Sequence, residues 1–253
     1  MEQGVEQGVQ LEYKYSLNSN CIIIKTMNYY TFDEEKKELL LSANNNQVMM
    51  EWEKPYMEAC IDLLEPKGNV LEIGFGLGYS ADRIQAYKPK SHTIIECDKI
   101  VLQKLETWAE DKKNVIIIKG KWQEKLPELG IFDEIFMDDY PLEITEKSGA
   151  LEKLLSNRRF QLFIDLCIQN HTRIGSKISG YLNANIPLVL SSDSEPFCNI
   201  NSKFIKINIP VNCKYRDQNQ QCQIPLITKI KEFDFYEASR NAIKSLEENN
   251  FRK

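Results

Sequence analysis

In "FMDDYP", residues 136–141, an apolar run stops on two adjacent carboxylates, Asp138 and Asp139, with Tyr140 and Pro141 behind them. Asp and Pro both favour turns, so a solvated turn is one reading. The other is chemistry: ligands of open α/β sheets bind at the carboxyl ends of the strands, where a negative pair can hold a cation or take a proton. A third carboxylate, Glu53, lies in "VMMEWEKPYMEACIDLL" on a stripe shared with Met49, Met57 and Cys60 at helical spacing. There it is either a solvated helix edge or a buried acid that needs a partner. Pro55 leaves open one helix or two turns joined at a kink.

"LEIGFGLGYS" sets Gly74, Gly76 and Gly78 after an apolar run and before a helical pattern, the context in which a glycine loop binds a cofactor. A dinucleotide fingerprint would want a glycine where Tyr79 stands, so the pattern is E-x-G-x-G-x-G from Glu72. The next strand-like run ends in Glu96, Cys97 and Asp98, and Glu96 is the expected partner for ribose hydroxyls. After the third run, "KGKWQE" carries Trp122 and Gln123. Trp122 reads equally as a contact to an adenine and as a half-buried packing residue.

Those side chains need a scaffold, and the chain offers one. "NVLEIGF" (69–75), "HTIIEC" (92–97), "NVIIIKG" (114–120) and "IFDEIFMD" (131–138) are β-rich and alternate with the helical "YSADRIQAY" and "KIVLQKLETWAE". That alternation predicts βαβ units on a parallel sheet. After a long amphipathic stretch, "ALEKLLSNRRFQLFIDLCIQNH", three more strand candidates follow, "KISGYLN", "KFIKINIPV" and "IPLITKIKEF", making seven. The predicted core domain is 48–230, preceded by a partly flexible segment 1–47 that ends in a "SANNNQ" linker and followed by a polar helical tail, 231–253, with Phe235, Ala238, Ala242 and Leu246 along one face.

Composition narrows the function classes. With 253 residues and a net charge of −5, the chain lacks the clustered Lys and Arg of a phosphate-binding surface, so no nucleic-acid partner is expected and a small or cationic substrate fits better. No run approaches the ~20 apolar residues of a bilayer span, so no membrane role is expected. Seven cysteines without close CxxC pairs, on a start that lacks an apolar, basic-headed leader, point to reduced thiols and a cytoplasmic setting. With two histidines, His92 and His171, no metal site is expected.

The spacing V-M-x-x-W-E-x-P-Y-M, Val48 to Met57, resembles the guanidinoacetate N-methyltransferase family. "VLEIGFG", "IIEC", "KGKWQE", "MDDYPL", "NCKY" and "IPLITK" are similar to further blocks of that family in the same order, so the resemblance runs from about Val48 to Lys229. It implies a class I methyltransferase, Rossmann-like α/β sandwich: a seven-stranded, mostly parallel sheet with helices on both faces. It further implies S-adenosylmethionine as cofactor and a small guanidino substrate, on a monomer or at most a weak dimer. By resemblance, Asp138 and Glu53 are catalytic and hold the guanidino group. Met49, Met57, Glu72, the loop Gly74, Phe75, Gly76, Leu77, Gly78, Tyr79 and Ser80, then Glu96, Cys97, Asp98, Trp122, Gln123 and Asp138 line the cofactor. Met49, Tyr140, Asn183 and Ala184 join the acids around the substrate, and Asp139 is expected to face solvent or orient the turn.

Other readings stay open at this point. Arginine methylation shares the reaction class, aminopropyl transfer to a polyamine shares the fold, and a cofactor-binding interaction module would need no chemistry. W-E-x-P-Y-M argues against aminopropyl transfer, the misplaced proline of "DDYP" against a nucleobase methyltransferase, and the presence of both Glu53 and Asp138 against a dead site.

Overall fold

The computed structural model describes residues 27–139, 149–182 (149–158 as helix backbone), 184–188, 190, 197–216, 221–234, 236–237 and 239–240. Its centre is a seven-stranded sheet. In chain order the strands are β4 (Asn69–Ile73), β5 (Ser91–Glu96), β6 (Val115–Lys119), β7 (Phe132–Met137), β8 (Thr172–Gly180), β9 (Cys198–Ile205) and β10 (Cys222–Lys229), arranged β6-β5-β4-β7-β8-β10-β9. The first five positions pair in parallel, and β10 inserts antiparallel between β8 and β9. The seven predicted strands are all present, with β8 and β9 each beginning five residues earlier than the sequence pattern suggested.

Neighbouring residues on one strand point to opposite faces, and both faces are apolar here. Val70, Ile94 and Phe136 pack beneath α1 (Lys54–Leu64), α2 (Tyr79–Ala86) and α3 (Lys99–Ala109). Leu71, Ile95 and Ile135 face α4 (Trp122–Lys125) and α5 (Gly149–Asn170). Right-handed crossovers from β4 and β7 thus leave in opposite directions, and the crevice between those strand ends is the topological switch point where ligands of such sheets bind.

Within the N-terminal segment, residues 29–50 are regular structure. They form an antiparallel sheet, β1 (Tyr29–Phe32), β2 (Glu38–Leu41) and β3 (Gln47–Met50), whose Leu39, Leu40, Met49 and Met50 share the core of the large sheet. "SANNNQ" is a hairpin turn: Ser42 N–H donates to Asn46 O at 2.8 Å, and Asn45 takes φ 62°, a left-handed conformation that Asn tolerates. The Met49–Cys60 stripe is likewise divided, since Met49 lies in β3, Glu51–Glu53 is a 3-10 turn and α1 begins only at Lys54. Pro55 sits in the first helical turn, where its missing N–H costs nothing, so it starts the helix and does not kink it. Among the described residues no helix is long and apolar enough to cross a membrane, and the six described cysteines are unbridged. The tail face from Phe235 to Leu246 lies largely outside the described residues.

Candidate functional site

Two strand ends build the site. Gly74 N–H donates to Ile95 O and Asp138 N–H to Ile73 O, both at 2.9 Å, so the glycine loop and the acidic pair leave adjacent strands side by side. Gly74 and Gly76 carry φ of 82° and 52°, which side chains disfavour. A Cβ on Gly74 would strike the Asp138 carbonyl oxygen, and one on Gly76 would stand 2.6 Å from Met49 Sδ. The bare backbone therefore brings the loop against both Asp138 and β3.

Beside it opens a cleft at the carboxyl ends of the strands, where ligands of such sheets bind. Of the expected residues, Met49, Gly74, Gly76, Glu96, Cys97, Asp98, Trp122 and Asp138 line it. Asn28, Leu40, Val48, Val101, Gly120 and Asp139 line it as well, and the sequence reading missed them in that role. The N-terminal sheet roofs the cleft: Tyr30 Oη donates to Gly76 O at 2.8 Å, and Leu77 N–H rests on Met49 Sδ at 3.2 Å.

Glu96 is nearly buried and already employed. It accepts from Phe75 N at 2.9 Å, Cys97 N at 2.6 Å and Asp98 N at 2.8 Å, tying the glycine loop to the end of β5. Burial nevertheless keeps its pKa above the usual carboxylate value. Asp98 caps α3 through Ile100 N and Val101 N. Burial, followed by the charge of Glu96, pushes the Cys97 thiol up to about 11, so it is no nucleophile at neutral pH. Asp139 is partly buried, its side chain 19% exposed. It accepts from Trp122 Nε1 at 3.0 Å with Arg159 at 3.6 Å, while the Trp122 ring stands edge-on to Phe163, so Trp122 both packs and walls the cleft.

Other expected residues point elsewhere. Met57 is wholly buried on the inner face of α1. Glu72 is buried on β4 against Ser80 Oγ and His92 Nε2, the latter at 2.7 Å, because a strand residue next to the apolar sheet face turns inward. Phe75 packs on Trp108 at 5.3 Å, Leu77 and Gly78 shape the loop, and Tyr79 reaches Glu38 at 3.4 Å. Gln123 is exposed, and Ala184 is half-buried on the segment after β8. Tyr140 and Asn183 lie outside the described residues.

Glu53 stands behind the cleft, only 2% exposed. Its Oε1 accepts from Met50 N–H at 2.8 Å and from the Tyr215 hydroxyl at 2.5 Å. Burial raises its pKa to about 7, and those two hydrogen bonds, the Tyr181 hydroxyl and the charge of Arg216 oppose the rise. Asp138 is pushed well above the ordinary carboxylate range, first by burial and then by the negative charge of Glu53. Tyr181, which follows β8, donates its N–H to Met137 O at 2.8 Å and so sits next to Asp138, while its buried hydroxyl lies near Glu53 and Arg216. The arrangement is two buried carboxyls, with Arg216 near Glu53, set beside the cleft. Such a site can receive a planar cation and accept one of its protons.

The family model for guanidinoacetate N-methyltransferase matches residues 15–169. Protein arginine N-methyltransferase 2 of Saccharomyces cerevisiae is 38% identical over 108 residues, covering 40% of this chain and 26% of that protein. The protein of the same name from Yarrowia lipolytica is 36% identical over 123 residues, 44% of this chain and 26% of that one. The one from Cryptococcus neoformans is 32% identical over 165 residues, 53% of this chain and 45% of the other. The first two matches thus span about a quarter of those relatives' length. Among solved structures, spermidine synthase from Thermotoga maritima aligns with a TM-score of 0.48 at 14% identity over 92% of this chain and 85% of that one, too distant to bear on function.

Proposed function

This chain belongs to the guanidinoacetate N-methyltransferase family, and from that premise we propose that it methylates a guanidino nitrogen with S-adenosylmethionine, guanidinoacetate giving creatine being the first substrate to try. The observation that carries the reading is the Glu53 and Asp138 pair, both buried and both raised in pKa, the charge of Glu53 raising Asp138, although Arg216 stands near enough to Glu53 to oppose its rise. A guanidinium adds positive charge there and donates in a flat fork that suits two carboxylates.

The residues present fit the cofactor. The glycine loop presents bare backbone to the cleft, Glu96 and Asp98 offer acceptors for hydroxyls, and Met49, Leu40 and Val101 give apolar walls. When bound, S-adenosylmethionine supplies an activated methyl group. Everything else falls to the chain.

A guanidinium has a pKa above about 12. Stripping its proton beforehand with an ordinary Asp would cross about 8 to 9 units, on the order of 11 to 12 kcal/mol. The raised pKa of Asp138 narrows that gap. Glu53 and Asp138 therefore grip the intact cation, aim one nitrogen at the cleft, and Asp138 takes the proton as that nitrogen gains its methyl. Each carboxyl must be ionised to bind, so substrate binding releases protons.

Arginine, free or in a protein, is the second reading, favoured by the names of the curated relatives. Product mass spectrometry with isotopically labelled S-adenosylmethionine and a panel of guanidino compounds decides between them. A label on a guanidino nitrogen is expected, and no transfer to any of them would return the site to the aminopropyl or non-enzymatic readings.

A further inference from the structure

One buried acid takes no part in the chemistry described above. Glu72, on β4 two residues before the first glycine of the loop, is wholly buried and does not line the cleft. Its register partners on the neighbouring strands are Ile94 and Phe136, both in the apolar layer under α1, α2 and α3. A carboxylate there stands where the sheet otherwise buries an apolar side chain, which is costly unless polar partners meet it. The partners are present. Ser80 Oγ, on α2, donates to Oε1, and His92 Nε2, on β5, lies 2.7 Å from Oε2. Gln85 Nε2, also on α2, stands 3.1 Å from His92 Nδ1. With that amide donating, Nδ1 accepts and the ring's own proton sits on Nε2, directed at Glu72. Among the described residues no lysine or arginine pairs with Glu72, so its charge is hydrogen-bonded and held in place without being cancelled by a fixed cation.

That charge lies close behind the cleft. Ile73, the next residue, accepts the Asp138 N–H at 2.9 Å, and Gly74, the one after, lines the cleft together with Asp138. Asp138 responds to it: after burial and the charges of Glu53 and Asp139, the charge of Glu72 raises the Asp138 carboxyl. A cation in the cleft beside Asp138 feels the same charge with the opposite sign, since Coulomb attraction needs no contact and is little screened by salt inside a protein. S-adenosylmethionine carries a positive charge on its sulfonium and loses it with the methyl group, because the product, S-adenosylhomocysteine, is a neutral thioether at the same atom. The adenosine and amino-acid parts of the two are identical. Contacts to those parts therefore cannot tell them apart, whereas a fixed negative charge can.

We propose that Glu72, held by Ser80 and His92, is a specificity-determining residue that favours the sulfonium cofactor over its spent thioether by charge alone, without touching either. This rests on the cofactor and not on the identity of the methyl acceptor.

The test is the ratio of two dissociation constants, S-adenosylhomocysteine over S-adenosylmethionine, measured by calorimetry without any methyl acceptor in wild type, Glu72→Gln and Ser80→Ala. Glu72→Gln keeps the length and an acceptor oxygen but not the charge. It is expected to weaken S-adenosylmethionine binding by about fivefold or more and to leave S-adenosylhomocysteine within about twofold of wild type. Ser80→Ala removes one brace and keeps the charge, so its ratio should stay at the wild-type value. Equal weakening of both ligands in Glu72→Gln would make Glu72 a brace of the glycine loop and overturn the proposal, as would no change in either. A ratio that falls as far in Ser80→Ala as in Glu72→Gln would overturn it too, since there the charge is intact. Should Glu72→Gln fail to fold, Glu72→Met, similar in length and suited to the apolar layer, takes its place with the same outcomes. Binding of neither ligand by wild type would instead mark the failure of the cofactor assignment itself, and the proposal would fall with it.

Discussion

Glu53 carries a pKa of about 7 because burial outweighs the hydroxyl and amide that stabilise its charge. The free enzyme must ionise it to bind a guanidinium, so log kcat/KM is expected to climb with pH through about 7 and then level. Tyr215→Phe removes the hydroxyl donor, which favours the charged form. The rising limb should therefore move to higher pH, and a limb that stays in place would show that another group controls it. The same shift affects stability with the opposite slope. The folded value lies above the ordinary 4.5, so the contribution of Glu53 to ligand-free stability is fully present below about 4.5 and lost as pH rises through about 7. Glu53→Gln should flatten the fall of the thermal midpoint across that window. The two acids also differ in duty. Glu53→Gln should mainly weaken substrate binding, by about 2 to 5 kcal/mol. Asp138→Asn should add a roughly 10²-fold or greater fall in single-turnover rate by removing the proton acceptor. A wild-type rate in Asp138→Asn would end the proposed mechanism.

At the scale of elements, the N-terminal sheet is part of the cofactor site. β1 holds the glycine loop through the Tyr30 hydroxyl on Gly76 O, and β3 holds it through Met49 under Leu77. Burial and the nearby Glu96 and Asp98 raise the Tyr30 phenol well above its usual pKa, so it remains a donor at any working pH. Tyr30→Phe leaves a buried carbonyl unpaired, at a cost of about 1 to 3 kcal/mol. The expected result is weaker S-adenosylmethionine binding in calorimetry by roughly tenfold or more, with the guanidino substrate's own contacts intact. Unchanged cofactor affinity would show that the sheet merely covers the loop. Gly76→Val, which must force φ 52° and displace Met49 Sδ, should abolish the thermal shift that the cofactor gives the wild type.

For the whole molecule, the two apolar layers on either face of the sheet hold the β4 and β7 ends in fixed register, Ile73 opposite Met137. The layer beneath α5 is closed at its edge by Phe233, which packs on Phe197 at 5.1 Å, and by Lys229, whose buried ammonium donates to Ile168 O and Thr172 O. Ending the chain at Lys231 would remove Phe233 while leaving every residue of the cleft. Turnover should stay within a few-fold, while stability falls by on the order of 1 kcal/mol, a few degrees in the thermal midpoint. A folded but inactive truncation would mean that the tail completes the site.

The sequence alone determined the sheet, the glycine loop, the acids at two strand ends and the family, because strand alternation, glycine conformation and spaced motif residues are local signals. It could not decide which way each side chain faces. Met57, Glu72 and Ser80 belong to the motifs yet turn into the interior, since helix and strand bury whichever face meets the other layer. Nor could it show the roof of the cleft: β1 and β2 carry few motif residues, and their pairing depends on the hairpin turn at Asp33–Lys37. Tyr215, Tyr181 and Arg216 come to Glu53 from positions more than a hundred residues away in the chain. Only the packing of α1 against β8 and β10 brings them together, and with them the burial that raises the carboxyls.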